Sequence, residues 1–466
     1  MKSDMTRRSV LALSLPTVLA CVAAAATAAA APQDLQRDAL GVAKVWEADH
    51  VDYGPPALLD HGRLLVYLDE AIKRGAGLYK MEQIGQSVEG RSINHLWFGN
   101  GPMHVLLWSQ MHGDEPTATS ALLDILHIVA GHQAEPQVQR LLQQLTIHFV
   151  PMLNPDGAQR FQRRNAQGLD VNRDALLLQA PEGLTLKALR DRLQPALGFN
   201  LHNQSWRTSA GKTKPASISL LAVAFDEART ETPGRVLAKR TCAIIRQTVE
   251  TLAPGQVARY DDEFEVRAFG DNVTKWGTPV VLIETGPYPG DSADKDLIKL
   301  NVVAILTALD ALATGAVQGA DPGLYESLPI NDEKLFTVIV RNASIVPGTG
   351  IAPFTGDLAF SSSRVVKPDA KGVIQAFQTL KLDDLGDMRV FSALETIDAT
   401  GQFAVMNRGW KEGDTVQISD WKAWKSEKPL AVGANTDVAL LSPGGAGTYT
   451  VVRIIRMERV LGTAGS

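Results

Sequence analysis

The rhythm of apolar positions divides the chain into two unlike parts. Between positions 104 and 313, short apolar runs alternate with longer stretches whose apolar residues recur every three or four positions. The runs at 104–110, 145–153 and 279–283 read as strands, and those at 197–201 and 218–225 as buried strands. The periodic stretches at 117–129, 184–193, 235–252 and 294–313 read as helices. Pro116 suits the first position of the first of these helices. Asn154-Pro155-Asp156-Gly157 is a strong turn signal that ends the second strand. Strands and helices alternating at these lengths predict an α/β layer with a largely parallel sheet.

Beyond position 319 the rhythm changes. Short candidate strands at 338–340, 389–392, 415–418, 438–441 and 448–456 lie between clusters of Gly, Pro, Asp and Asn, which predicts a small all-β domain over 331–466. A linker is expected at 319–330. At the other end, Lys2, Arg7 and Arg8 precede an apolar, alanine-rich stretch that reaches Ala31. This reads as an export signal over 1–31, and Thr6-Arg7-Arg8-Ser9-Val10-Leu11 resembles a twin-arginine signal. A retained spanning helix is the alternative, since the stretch is long enough. Val18-Leu19-Ala20 before Cys21 is a poor lipidation match. Export places the protein in the periplasm or outside the cell, with no stable membrane insertion after signal removal. One cysteine, Cys242, then remains, and it cannot form an internal disulfide. Its apolar helical setting suits a small buried residue.

With 466 residues, 45% apolar and 21% charged, the chain has material for two or three soluble domains. The net charge of −5, with no basic run outside the extreme N-terminus, argues against a nucleic-acid partner, whose phosphates demand a basic face.

The residues that could carry chemistry cluster where predicted strands end, as ligand sites do in α/β sheets. His112 and Glu115 share one tight turn after the strand at 104–110. An imidazole and a carboxylate there can face one cation, and catalytic zinc commonly takes two His and one Glu, leaving a position for water. His202, just after the strand at 197–201, is the candidate third ligand. His-x-x-Glu alone is a common pair with no necessary function. Glu284 closes a strand of Val, Leu and Ile, where a carboxylate is costly unless paired or functional; it reads as a general base or as a capping, salt-bridging residue. Arg163, Asn172 and Arg173 belong to an Arg- and Asn-rich segment that could grip an anionic substrate end, or be a solvated basic loop. His50, His61, His95, His104, His127, His132 and His148 read as surface or satisfied core residues.

These pieces fall in one order: His112-Gly-Asp-Glu115, Asn154-Pro-Asp-Gly157, Arg163 through Asn172-Arg173-Asp174, Asn200-Leu-His202 and Ile283-Glu284-Thr-Gly286. That order resembles the zinc metallocarboxypeptidase family over roughly 35–316, and the segment 84–92 resembles the opening of its catalytic domain. The resemblance implies a mixed, mostly parallel eight-stranded sheet flanked by helices over 32–318. It implies one zinc ion held by His112, Glu115 and His202. It also implies Asn172 and Arg173 on the terminal carboxylate of a peptide, Arg163 on the scissile carbonyl and Glu284 activating water. Tyr260 is the candidate for the family's mobile substrate-contacting tyrosine, although Asp261-Asp262-Glu263-Phe264 departs from the usual pattern. Asp114 and Asp174 are further departures. Asp271 and Trp276 are expected to be structural or to line the pocket. The activity implied is exported, zinc-dependent hydrolysis of C-terminal peptide bonds. The alternatives are hydrolysis of cell-wall peptides or N-acyl amino acids at the same site, or an inactive peptide-binding module.

Overall fold

A computed structural model of the protein describes residues 32–290, 294–426 and 428–464; the expected export signal and Cys21 lie outside them. The first region is built on eleven strands: β1 Lys80–Gln86, β2 Ser92–Gly99, β3 Met103–Ser109, β4 Leu145–Val150, β5 Leu197–Asn203, β6 Ser209–Ala210, β7 Lys214–Pro215, β8 Ile218–Ala222, β9 Val257–Arg259, β10 Val280–Thr285 and β11 Asn331–Asp332. Ten helices accompany them: α1 Pro32–Asp49, α2 His61–Gly75, α3 Thr117–Gly131, α4 Pro136–Gln144, α5 Pro155–Arg160, α6 Pro181–Leu193, α7 Pro233–Leu252, α8 Phe269–Lys275, α9 Lys295–Thr314 and α10 Pro322–Glu326.

Eight of the strands form one sheet in the order β1-β2-β4-β3-β5-β10-β8-β9. The central run β4-β3-β5-β10 is parallel, while β1/β2, β2/β4 and β10/β8 are antiparallel. The sheet is thus mixed and mostly parallel, as expected. Its central strands are apolar on both faces because helices cover both. Val105, Leu107, Phe199, Leu201, Val281 and Ile283 face a core shared with α1, α2, α3, α7 and α9. The alternate residues Leu106, Trp108, Val280 and Leu282 face a second core with α6 and α8. Helix α9 is long and apolar enough to cross a membrane, but 78% of its apolar window is buried within the fold. Cys242 is fully buried on α7.

The segment 319–330, expected as a linker, is folded. Within it α10 packs on α7, and buried Tyr325 accepts a hydrogen bond from the Ala222 amide at 3.1 Å. After β11 comes a nine-stranded, mostly antiparallel sheet, which is the expected β-rich region. Its centre is β12 Leu335–Ile345, β13 Phe354–Pro368 and β14 Ile374–Gly386. Two of its features depart from the expectation. The long β13/β14 hairpin lies where no strand was expected, and most of 389–392 precedes a strand, Ser392–Asp398, instead of forming one. This sheet is seated on the first region. Arg207 stacks over Phe336 with 4.1 Å to the ring centroid and binds Asp383 at 3.0 Å. Arg364 pairs with Asp294 and covers Trp206.

Candidate active site

The site grows from three strand ends at one edge of the parallel core. Residues two apart on a strand share a face, so Asn200 and His202 point with Leu282 and Glu284, away from the core that takes Phe199, Leu201, Val281 and Ile283. Register then sets the pairing: Glu284 lies opposite His202, and Leu282 opposite Asn200, on adjacent strands. The third contribution follows β3. Gln110 takes a left-handed backbone (φ 47°), an uncommon conformation for a residue with a side chain, and its amide nitrogen donates to Gly113 O at 3.0 Å. The turn it opens rests on the Asn154–Gly157 turn. A Cβ at Gly113 would stand 2.0 Å from the Gly157 carbonyl carbon, so glycine is needed for this approach. Asn154, fully buried, accepts from Gly157 N and donates to Met111 O.

His112, Glu115 and His202 converge there. One Glu115 oxygen lies 2.7 Å from His112 Nδ1 and the other 2.7 Å from His202 Nδ1. The three donor atoms lie within 4.8 Å of one another, and all three residues are buried. Among the described residues no other group of histidines, cysteines and carboxylates is gathered in this way. Two imidazole nitrogens and one carboxylate suit zinc. Burial alone would raise the Glu115 carboxyl, but His112 and His202 hold it far below its ordinary value. The donor set therefore fits a zinc ion chemically and spatially.

Asp170, to which the sequence assigned no role, ties the rest together. Its Oδ1 lies 3.1 Å from His112 Nε2 and accepts from Asn172 N at 3.0 Å; its Oδ2 accepts from Arg163 Nε at 3.0 Å. A carboxylate behind a ligand imidazole orients the ring and strengthens the donor. A signal for it existed, since an Asp two residues before Asn172 caps the short turn at 171–173. Arg163 Nη1 reaches Glu115 at 3.3 Å and His112 Nδ1 at 3.2 Å. Asn172 Oδ1 accepts from the Phe269 amide, and Arg173 lies 3.4 Å from Glu265.

All eight candidates but His202 line one cleft of about 640 Å³, and His202 is buried behind His112 and Glu115. Tyr260 is among the lining residues, beside Glu284, whose charge and the burial of the site raise the phenol well above its ordinary value. Glu284 is raised too, by burial first and then by Glu115, and its Oε2 has no hydrogen-bond partner. Asp271 lines the cleft, whereas Trp276 packs edge-on against Phe269 under Lys187 and is structural. A second cavity of about 660 Å³ lies between α1, α3, α4 and α9 and holds none of these groups.

Comparison with known proteins follows the same geometry. Residues 64–216 match the zinc carboxypeptidase family. This stretch of the chain is thus similar to a zinc carboxypeptidase domain. The matched stretch of this domain includes His112, Glu115, Arg163, Asn172, Arg173 and His202; Tyr260, Asp271 and Glu284 lie outside it and join the site by structure alone. Curated relatives of the domain include carboxypeptidase 2 of Trichophyton rubrum, 29% identical over 172 residues (33% of this chain, 32% of that protein), and carboxypeptidase M of Mus musculus, 26% identical over 160 residues (29% and 36%). The chain thus spans about a third of the length of these relatives. Solved structures similar to the domain include a metallo-carboxypeptidase from Burkholderia cenocepacia (TM-score 0.44, 18% identity, covering 53% of this chain and 67% of that one) and carboxypeptidase A from Helicoverpa armigera (0.45, 17%, 56% and 74%).

Proposed function

We propose that the chain is an exported zinc metallopeptidase that removes C-terminal residues from peptides. The observation that carries this reading is the convergence of His112, Glu115 and His202 on the cleft that also holds Glu284, Asn172 and Arg173. His112, Glu115 and His202 would hold the ion. Zinc supplies Lewis-acid polarisation of a carbonyl and acidification of a water to a pKa of about 7.

The chain's own groups do the rest. Glu284 Oε2, unpartnered at the strand end, takes a proton from the attacking water and delivers it to the leaving amine. Arg163 donates toward the scissile carbonyl oxygen from its place beside Glu115. Asn172 and Arg173 receive the free carboxylate of the substrate. Arg173 brings a planar fork of donors for it, and the hydrogen bond from Phe269 N holds the Asn172 amide in place. Tyr260, an apolar body with a hydroxyl, covers the bound residue beside Glu284. The alanine-rich leader at 1–31 motivates export.

The test is release of single C-terminal residues from defined peptides, with metal content measured in parallel. One zinc per chain, activity abolished by a chelator and restored by zinc is the expected result. Turnover insensitive to chelation, or cleavage only at internal bonds, overturns the reading. Export is checked by fractionating cells that express the full chain.

A further inference from the structure

The second cavity, of about 660 Å³, falls in the size range of small-molecule sites and shares no lining residue with the catalytic cleft. Helices α1 and α4 both pack on α9, and the cavity is the space between them, bordered by the end of α3. On α1, Ala39 and Ala43 are buried against Val303 of α9. The neighbouring stripe Asp38, Gly41, Val42 and Val45, at helical spacing, faces the cavity. Val129, Val138, Leu141 and Leu306 supply apolar walls from α3, α4 and α9. Gly41 sits mid-helix, where glycine is less favourable than alanine. A Cβ there would meet nothing within 4 Å, so no close packing requires it, and it leaves room beside the cavity. Charged groups interrupt the apolar lining. Four carboxylates, Asp34, Asp38, Glu135 and Asp310, stand against two arginines, Arg37 and Arg140. Arg140 binds Asp310 at 2.8 Å and Arg37 binds Asp34 at 3.1 Å, while His132 lies 2.6 Å from both Glu135 and Asp49. Asp38 is left with Arg37 at 3.9 Å. Burial and then Asp310 raise its carboxyl. The hydroxyls of Thr307 and Thr314 are spent on carbonyls of α9.

We propose that this cavity is a second binding site, for a cationic amphiphile: an alkylamine whose ammonium is held by Asp38 and Asp310 while its chain lies along Val42, Val45, Val138 and Leu141. Charge complementarity selects this occupant. Both arginines are engaged with other carboxylates, and an ammonium balances the charge that remains at Asp38. A carboxylate set in an apolar stripe without a close counter-ion is costly, and a charged donor relieves that cost. An aliphatic chain with a cationic tip suits walls that are apolar and a polar end that is acidic. An acidic head would meet Asp38 and Asp310 as like charges, and an uncharged chain would fill the walls and leave Asp38 as it is. The one donor that favours an acid is Arg140 Nε, buried and without a hydrogen-bond partner, but the same guanidinium is committed to Asp310 through Nη2. The site does not depend on the peptidase reading, since neither α1 nor α4 contributes a residue to the catalytic cleft.

The experiment is calorimetry on the full zinc-loaded chain with octylamine, octanol and octanoate. One octylamine per chain is expected, bound about tenfold more tightly than octanol, the effect of one charge-assisted hydrogen bond. Asp38→Asn keeps the shape and removes the charge, and should lower octylamine to the octanol level. Gly41→Leu favours the helix and fills the space beside it, and should abolish binding of octylamine and octanol. Both variants should keep the zinc content and peptide turnover of the wild type, because neither residue lines the catalytic cleft. Absence of saturable octylamine binding overturns the proposal. So does binding that Gly41→Leu leaves unchanged, or a preference over octanol that Asp38→Asn leaves unchanged. Octanoate binding more tightly than octylamine, with the same dependence on Gly41→Leu, would assign the cavity to Arg140 and an acid instead. A wild-type dimer in sedimentation that Gly41→Leu turns into a monomer would make this face a contact between copies, and would also overturn the proposal. If no peptide is cut but the Asp38-dependent preference for octylamine is found, the peptidase reading fails and this site stands.

Discussion

Two clusters of buried histidine lie on the same sheet, and they do opposite things. At the strand ends, His112 and His202 turn their Nδ1 atoms onto one carboxylate beside a cleft. Across β1, β2, β4 and β3, three other histidines form a ladder instead. Glu82 binds His95 at 3.0 Å, His95 binds His148 at 2.9 Å, and His148 binds His104 at 2.9 Å, with rings stacked 5.1 Å apart. In the ladder each bond consumes one nitrogen from each ring, so the groups satisfy one another, which meets the general demand on buried polar groups. At the site a shared carboxylate gathers the nitrogens at one point. The number of histidines is the same order in both. What separates metal chemistry from core packing is whether their lone pairs meet.

Four perturbations test this contrast, from the largest expected effect to the smallest. His202→Ala removes a ligand, and zinc content measured by mass spectrometry should fall from one per chain to near zero with activity at background. His148→Leu should leave the zinc content at one, and loss of zinc there would refute the division between the clusters. Glu284→Gln should keep zinc and lower kcat by about 100- to 10,000-fold, the usual range for a positioned proton-transfer group. Equal turnover in wild type and variant would remove Glu284 as base. Asp170→Ala should weaken zinc affinity about 10- to 100-fold in chelator competition, as loss of a carboxylate behind a ligand imidazole does. Unchanged affinity would make Asp170 only a loop anchor.

The ladder supplies a further test through pH. Burial, then His95 and His104, push His148 down to about 3 from an ordinary 6.5. Between those values the unfolded chain binds a proton that the folded chain refuses. Stability from a neutral His148 is therefore present above 6.5 and lost as pH falls through that window, by about 1 kcal/mol per unit. His148→Leu should flatten this slope in denaturant unfolding. It should also cost about 1–3 kcal/mol at neutral pH, because a ring nitrogen of His95 and one of His104 lose their partner.

The apolar rhythm made the central strands and the helices α3, α6, α7 and α9 legible, because elements covered on both faces have continuous apolar runs. It left β1 without a signal. That edge strand pairs only with β2, and its residues are largely exposed. The β13/β14 hairpin was hidden for a similar reason. Ser361, Ser362, Ser363, Arg364 and Lys367 give it a polar stretch, and its buried apolar residues, Leu358 and Phe360 on β13 and Leu382 on β14, are too few to stand out beside its twelve backbone pairings. Helix α1 follows directly on the apolar stretch that reaches Ala31, and α2 carries charges through its length, so neither stood out.

The sequence by itself determined the donor types, the chain order of the motifs and the alternation that sends His202 to one face with Asn200, and Glu284 to one face with Leu282. Those are local properties, fixed by residue chemistry and by the two-residue period of a strand. Only the tertiary structure decided that His202 and Glu284 stand on one rung, that Asp170 backs His112, that Tyr260 joins the cleft despite its unfamiliar surroundings, and that Glu333 lines the cleft from beyond the first ten strands. Register and long-range packing set these, and both are collective outcomes of burying two cores at once, which no short stretch of sequence encodes.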